Sequence, residues 1–160
     1  VERGQQEAGI AQMVEALATE RAGLGLPRWN ALFAALLAEV YGKTGQTSEG
    51  LNVVNEELAN ARVTECCCYE AELHRIKGEL LQSVADEKQA KSCFQQAIEI
   101  SRRQEAKSLE LRAVMSLSRL WQQQGKKDDA RKLLAGIYGW FTEGFDTADL
   151  KAAKALLDEL

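Results

Sequence analysis

The feature that most constrains this chain is a repeat written in small residues. Gly9, Gly50, Ala90 and Ala130 fall at spacings of 41, 40 and 40 residues. Five residues before each stands a turn signal: Gly4, Gly45 and Gly125 in three units, and Ala85, followed by Asp86, in the other. After it comes an apolar stripe, such as Ala90, Cys93, Phe94, Ala97 and Ile98, or Ala130, Leu133, Leu134 and Ile137. Residues at i, i+3, i+4 and i+7 share one face of a helix, so each stripe is a buried helix face. A second stripe precedes each turn: Leu32, Phe33, Leu36, Leu37, Val40 and Tyr41 in one unit, and Leu111, Val114, Leu117, Ser118 and Trp121 in another. Between them, Leu73, Ile76, Leu80 and Leu81 carry Lys77 as a polar exception. The unit is therefore helix A, tight turn, helix B. One pair cannot bury both faces, and stacking pairs makes a continuous core.

The small residues serve the packing. Helices lie roughly 8–10 Å apart, and the closest crossings need Gly or Ala at the contact. Gly78 in helix A, with Ala90 and Ala97 in helix B, has that placement, and Phe94 between them fills the space beyond the crossing. The pattern predicts an all-α chain with helices near 5–22, 28–43, 47–61, 67–83, 87–104, 107–124, 127–139 and 147–159, with ends good to about two to four residues. The units run over 1–26, 27–65, 66–106 and 107–145, followed by a capping helix at 146–160. The first unit has a helix B (Gly9, Met13, Ala16) without a helix A, and the chain begins at Val1, so the sequence reads as a piece of a longer polypeptide. Gly136, Gly139 and Gly144 interrupt the pattern among Tyr138, Trp140, Phe141 and Phe145. That aromatic cluster reads as cap packing, with a binding surface as the alternative. The last helix starts after an N-cap at Asp146 or Thr147, and its stripe is Leu150, Ala153, Leu156, Leu157 and Leu160.

Composition narrows the function. The net charge of -4 argues against general nucleic-acid binding, which needs a basic face against phosphates. The apolar run 31–38 is too short for a bilayer, which takes about 20 residues. No phosphate-cradling glycine loop, no zinc-protease motif and no nucleophile–histidine spacing is present, so no enzyme and no cofactor is expected. Asp86–Glu87 and Asp128–Asp129 stand at B-helix starts, where they complement the helix dipole; no metal site is expected there. Cys66, Cys67, Cys68 and Cys93 lack paired metal-ligand spacing and read as reduced thiols, with a redox or metal sensor as the alternative.

The third unit resembles the tetratricopeptide (TPR) signature in Gly78, Leu81, Ala90, Phe94 and Ala97. Leu37 and Tyr41 match it in the first A helix, and Leu117, Trp121, Gly125 and Ala130 in the last. The usual Trp and closing Pro are absent, and Glu57 stands where a small residue belongs. The period near 40 exceeds the usual length of about 34, which points to longer loops between pairs. The fold so implied is a TPR-like superhelix of stacked antiparallel pairs. Over nearly the whole chain, stretches 69–81, 108–113 and 138–151 resemble the C-terminal repeat region of large bacterial signalling proteins. There the repeats follow a STAND-type ATPase, often with an adenylate/guanylate cyclase or a helix-turn-helix activator domain. The resemblance implies a cytoplasmic regulatory scaffold and signal transduction by protein binding. The chain's own upstream domains are among the implied partners.

In such arrays the A helices line a concave groove. The groove-facing set is then Glu72, Arg75, Glu79, Arg112, Met115, Arg119, Gln122 and Gln123. Arginine binds carboxylates through a planar fork, so a protein or peptide with acidic groups is the expected partner. Glu72, Arg75 and Glu79 could equally pair with each other at i+3 and i+4. Ala35 and Glu39 stand where chaperone-tail-binding TPRs carry a Lys/Asn clamp, which argues against that ligand. The truncated first unit leaves apolar surface for a neighbour, so homo-oligomerisation is the other reading.

Overall fold

The computed structural model describes residues 2–22, 27–64 and 68–160. Among them every regular element is an α-helix: α1 (Glu2–Ala22), α2 (Pro27–Lys43), α3 (Thr47–Thr64), α4 (Glu70–Ser83), α5 (Glu87–Arg103), α6 (Lys107–Gln123), α7 (Lys127–Tyr138) and α8 (Ala148–Glu159). Helices α2/α3, α4/α5 and α6/α7 are antiparallel hairpins stacked in order, and α8 closes the end against α6 and α7.

The A–B turns repeat a single backbone solution. Gly45, Ala85 and Gly125 all have positive φ, at 77°, 61° and 76°. In each, the N–H one residue later reaches back to a carbonyl of the last helical turn: Gln46 to Tyr41, Asp86 to Leu81 and Lys126 to Trp121. This closure satisfies carbonyls that the ending helix leaves open. Ala85 adopts the left-handed region without glycine's freedom there. Gly4, the fourth expected turn residue, instead lies inside α1.

Around the α5–α6 junction the extra length of the repeat is in the helices, not the loop. Helices α2, α5 and α6 have 17 residues each. The α5–α6 connection is only residues 104–106, closed by the same geometry, with Glu105 at φ 55° and the Ala106 N–H bonded to the Ser101 carbonyl. The expectation of long inter-pair loops fails here because a positive-φ residue turns the chain within three positions. Helix α4 starts at Glu70, later than expected, with Cys68 and Tyr69 in a turn. Gly136 does not break α7. It sits exposed inside that helix, where one glycine costs only about 1 kcal/mol.

The core follows the small-residue grid. Ala90, Ala97, Ala130 and Phe94 are fully buried. A Cβ on Gly50 would lie 3.1 Å from the Leu80 side chain, so Gly50 lets α3 approach α4. Gly9 has no such neighbour. Among the described residues its helix lies along α2, and its link to α3 comes far from Gly9, at Arg21. One apolar cluster joins α1 to α4 and another joins α4 to α8, with Leu51 touching both. The cap expectation divides the aromatics. Tyr138 and Phe141 pack on the core, while Trp140 and Phe145 stay largely in solvent.

Candidate functional site

Curvature follows from which helices touch. Each A helix contacts the next, α2 to α4 and α4 to α6, and α6 then meets α8, whereas among the described residues the backbones of the B helices α3, α5 and α7 stay apart. The A helices therefore lie on the inner side of the stack.

A ladder of charge crosses that inner face. Arg75 binds the Glu72 carboxylate through two nitrogens, Nε at 2.9 Å and Nη2 at 2.7 Å, and donates to Glu79 as well. Glu72 also receives Arg112 of α6 at 2.9 Å, and Arg112 approaches Asp149 of α8 at 4.0 Å. Ser116 of α6 donates to Glu79, and Gln82 of α4 to Gln123 of α6. On α2, the hydrogen bond from Lys43 holds Glu39 below the usual carboxylate range; its partial burial opposes this, and the field of Arg75 and Arg112 adds to it. Burial disfavours the Arg75 cation, but Glu72 and Glu79 outweigh it, so the guanidinium stays firmly charged.

The expected groove residues thus occupy unequal positions. Glu72, Arg75 and Met115 are all buried. Glu79, Arg112 and Gln122 are partly exposed, and Arg119 and Gln123 are exposed. The i+3/i+4 pairing of Glu72, Arg75 and Glu79 is present, and it spends Arg75's donors inside the protein. Arg112, Ser116, Arg119 and Gln123 fall at i, i+4, i+7 and i+11, one stripe of α6 facing α4. Within it, Arg119 has no carboxylate partner among the described residues. The crossing to Glu39 and Asp149 depends on stacking register, which no single helix carries in its sequence.

Other sequence candidates separate. Cys93 is buried, and burial pushes its thiol pKa up, which keeps it protonated. Cys68 is exposed, and Cys66 and Cys67 lie outside the described residues. Among the described residues no group of three or more His, Cys, Asp or Glu is placed to hold a metal, and no helix is long and apolar enough to cross a membrane. Glu57, the departure from the small-residue grid, is buried and paired with Arg21 of α1 at 3.1 Å.

Stacked antiparallel pairs, inner A helices and a recurring small-residue crossing define a TPR-like repeat protein. Solved structures agree. The kinesin light chain nearly identical TPR-like repeats of Podosopora anserina superpose with a TM-score of 0.69 at 16% identity, covering 99% of this chain and 78% of that one. BtubC (BKLC) from P. vanneervenii superposes with a TM-score of 0.73 at 15% identity, covering 99% of this chain and 72% of that one. No family model matches the sequence, and no curated protein matches it.

Proposed function

We propose that this chain is a protein-interaction module whose inner A-helix face receives a partner segment bearing carboxylates. The observation that carries the proposal is the contrast between Arg75 and Arg119. Arg75 is consumed by the ladder, which fixes α4 against α6, while Arg119 stands exposed on the same stripe with its fork unused. Arg112 contributes from partway along, since Glu72 already holds one side of it. Gln122 and Gln123 supply hydrogen bonds beside it, and Met115 shapes the floor. A rigid frame with an unpaired arginine at its edge suits recognition, because little is left to order on binding.

The resemblance to repeats that follow STAND-type ATPases supports reading the module as part of a bacterial, cytoplasmic signalling protein, its partner then being a separate protein or an ATPase or cyclase domain of the same polypeptide. No reaction is assigned to this chain. The test is capture from the native host with the wild-type chain and with Arg119→Glu, both checked for helicity. Loss of an acidic partner from the variant supports the proposal. An unchanged set of partners at equal strength moves the site off this face, to Trp140 and Phe145. Homo-oligomerisation draws on Val14 and Leu36, which are exposed on α1 and α2. Light scattering that finds a monomer at all concentrations removes that reading.

A further inference from the structure

The outer side of the stack carries a second feature, independent of the inner face. Because the backbones of the B helices stay apart, a cleft opens between α3 and α5 with α4 as its floor. It has a volume of about 520 Å³ and is lined by Arg62, Glu70, His74, Lys77, Glu99 and Arg103, among others. That volume is the size of a small-molecule site.

The repeat itself provides the control. One unit away in either direction, the positions of His74 and Lys77 hold Ala34 and Leu37, or Val114 and Leu117. Stacking is satisfied there by apolar side chains, and Ala34, Leu37, Val114 and Leu117 are all buried. The next cleft along, between α5 and α7, has Leu117 and Trp121 of α6 as its floor, with Gln95, Ile98, Glu99, Arg102 and Leu133 as its walls. His74 and Lys77 are thus polar insertions into an otherwise apolar column. His74 is only 8% exposed, and its Nδ1 is buried without a hydrogen-bond partner among the described residues. An unsatisfied buried polar atom costs about 1–3 kcal/mol, so the fold alone does not favour it.

The charges around it are also unspent. In the next unit the carboxylate equivalent to Glu70 is Glu110, and Arg102 binds it at 2.6 Å. Arg62 and Glu70 occupy the same two places, yet no ion pair joins them. Among the described residues, none of Arg62, Glu70, Lys77, Glu99 and Arg103 is paired with another of the set. Three cations face two carboxylates, so the cleft favours a negatively charged occupant.

We propose that the α3–α5 cleft binds a small oxyanion, a phosphate- or carboxylate-bearing molecule, held by Arg62, Lys77 and Arg103 over the His74 imidazole. Glu70 and Glu99 orient donor groups on the same molecule.

His74 is the only histidine in the sequence, so its imidazole reports on the cleft without assignment. Burial, opposed in part by Glu70 and reinforced by Lys77 and Arg62, lowers its pKa below the ordinary imidazole value in the free protein. The experiment titrates the chain with inorganic phosphate, and separately with citrate, in an amine buffer at constant ionic strength, following the imidazole by NMR. A saturable shift with a rise in the His74 pKa is expected, because an anion favours the imidazolium. Saturation by phosphate alone assigns a phosphate ligand, and saturation by citrate alone a carboxylate ligand. Lys77→Leu copies the neighbouring units and should keep the fold while weakening binding about tenfold or more. Arg62→Gln, at an exposed position, should weaken it likewise if Lys77→Leu perturbs folding. Arg119→Glu, on the inner face, should leave it unchanged. No saturable shift with either anion, or a shift of equal affinity in both cleft variants, overturns the proposal.

Discussion

The ring of Phe94 occupies the space that a side chain on residue 78 would need. A Cβ placed on Gly78 would lie 2.5 Å from Phe94 Cε1 and 2.7 Å from Cδ1. The two residues form one steric unit: glycine opens the α4–α5 crossing, and the ring, fully buried, fills it. Gly78→Ala should therefore destabilise by about 1–3 kcal/mol through overpacking, despite alanine's better helix propensity. Phe94→Ala should cost about 3–5 kcal/mol. Gly136→Ala is the matched control. It meets nothing within 4 Å and should gain up to about 1 kcal/mol. Urea denaturation of the three variants checks the signs, and a stabilised Gly78→Ala would refute the packing.

Ala85 holds a left-handed conformation that Gly45 and Gly125 hold one unit to either side. Glycine lacks the Cβ that makes this region costly. Ala85→Gly should raise stability by about 0.5–1 kcal/mol, read as a higher urea midpoint with an unchanged slope. A fall in midpoint would mean that the turn is not strained.

Glu110 gives the stack an acid-sensitive joint. It is buried at the start of α6 and accepts from Arg102 at 2.6 Å and Lys107 at 2.8 Å. Burial raises its pKa, but the two cations overcome this and hold it below the ordinary value of 4.5. A depressed pKa contributes stability above the unfolded value, which is lost as pH falls through the folded one. Glu110→Gln should therefore flatten the decline in stability below pH 4.5, measured by denaturation across that range. Equal slopes for both proteins would remove Glu110 from the acid response.

Arg21→Ala should cost about 1–3 kcal/mol, because it strands a buried Glu57 that has no other partner among the described residues. Thermal denaturation checks it, and Glu57→Leu should recover part of the loss when added to Arg21→Ala.

Different physical causes made some features legible in the sequence and hid others. The Gly50, Ala90 and Ala130 grid was readable because helix crossings impose the same steric limit in each unit. The turns at Gly45 and Gly125 were readable for a different reason, since a positive φ favours glycine. Glu105 was not, since nothing in a glutamate signals positive φ, although helices expected at 87–104 and 107–124 already left little room between them. Glu72, Arg75 and Glu79 announced their spacing but not their choice between each other and a partner. That choice depends on Arg112 arriving from α6, a matter of stacking. Lys77 stood out at once as polar in an apolar stripe. Its meaning needed the cleft between α3 and α5, which no single helix predicts.

The central claim is that the inner face binds through Arg119 while Arg75 is internal. The direct measurement is arginine-selective labelling with phenylglyoxal, read by mass spectrometry, on the free chain and on the complex captured from the host. In the free chain Arg119 should label readily and Arg75, only 6% exposed, should stay unmodified. In the complex the label on Arg119 should be lost. Labelling of Arg119 at the same rate with the partner bound would contradict the account.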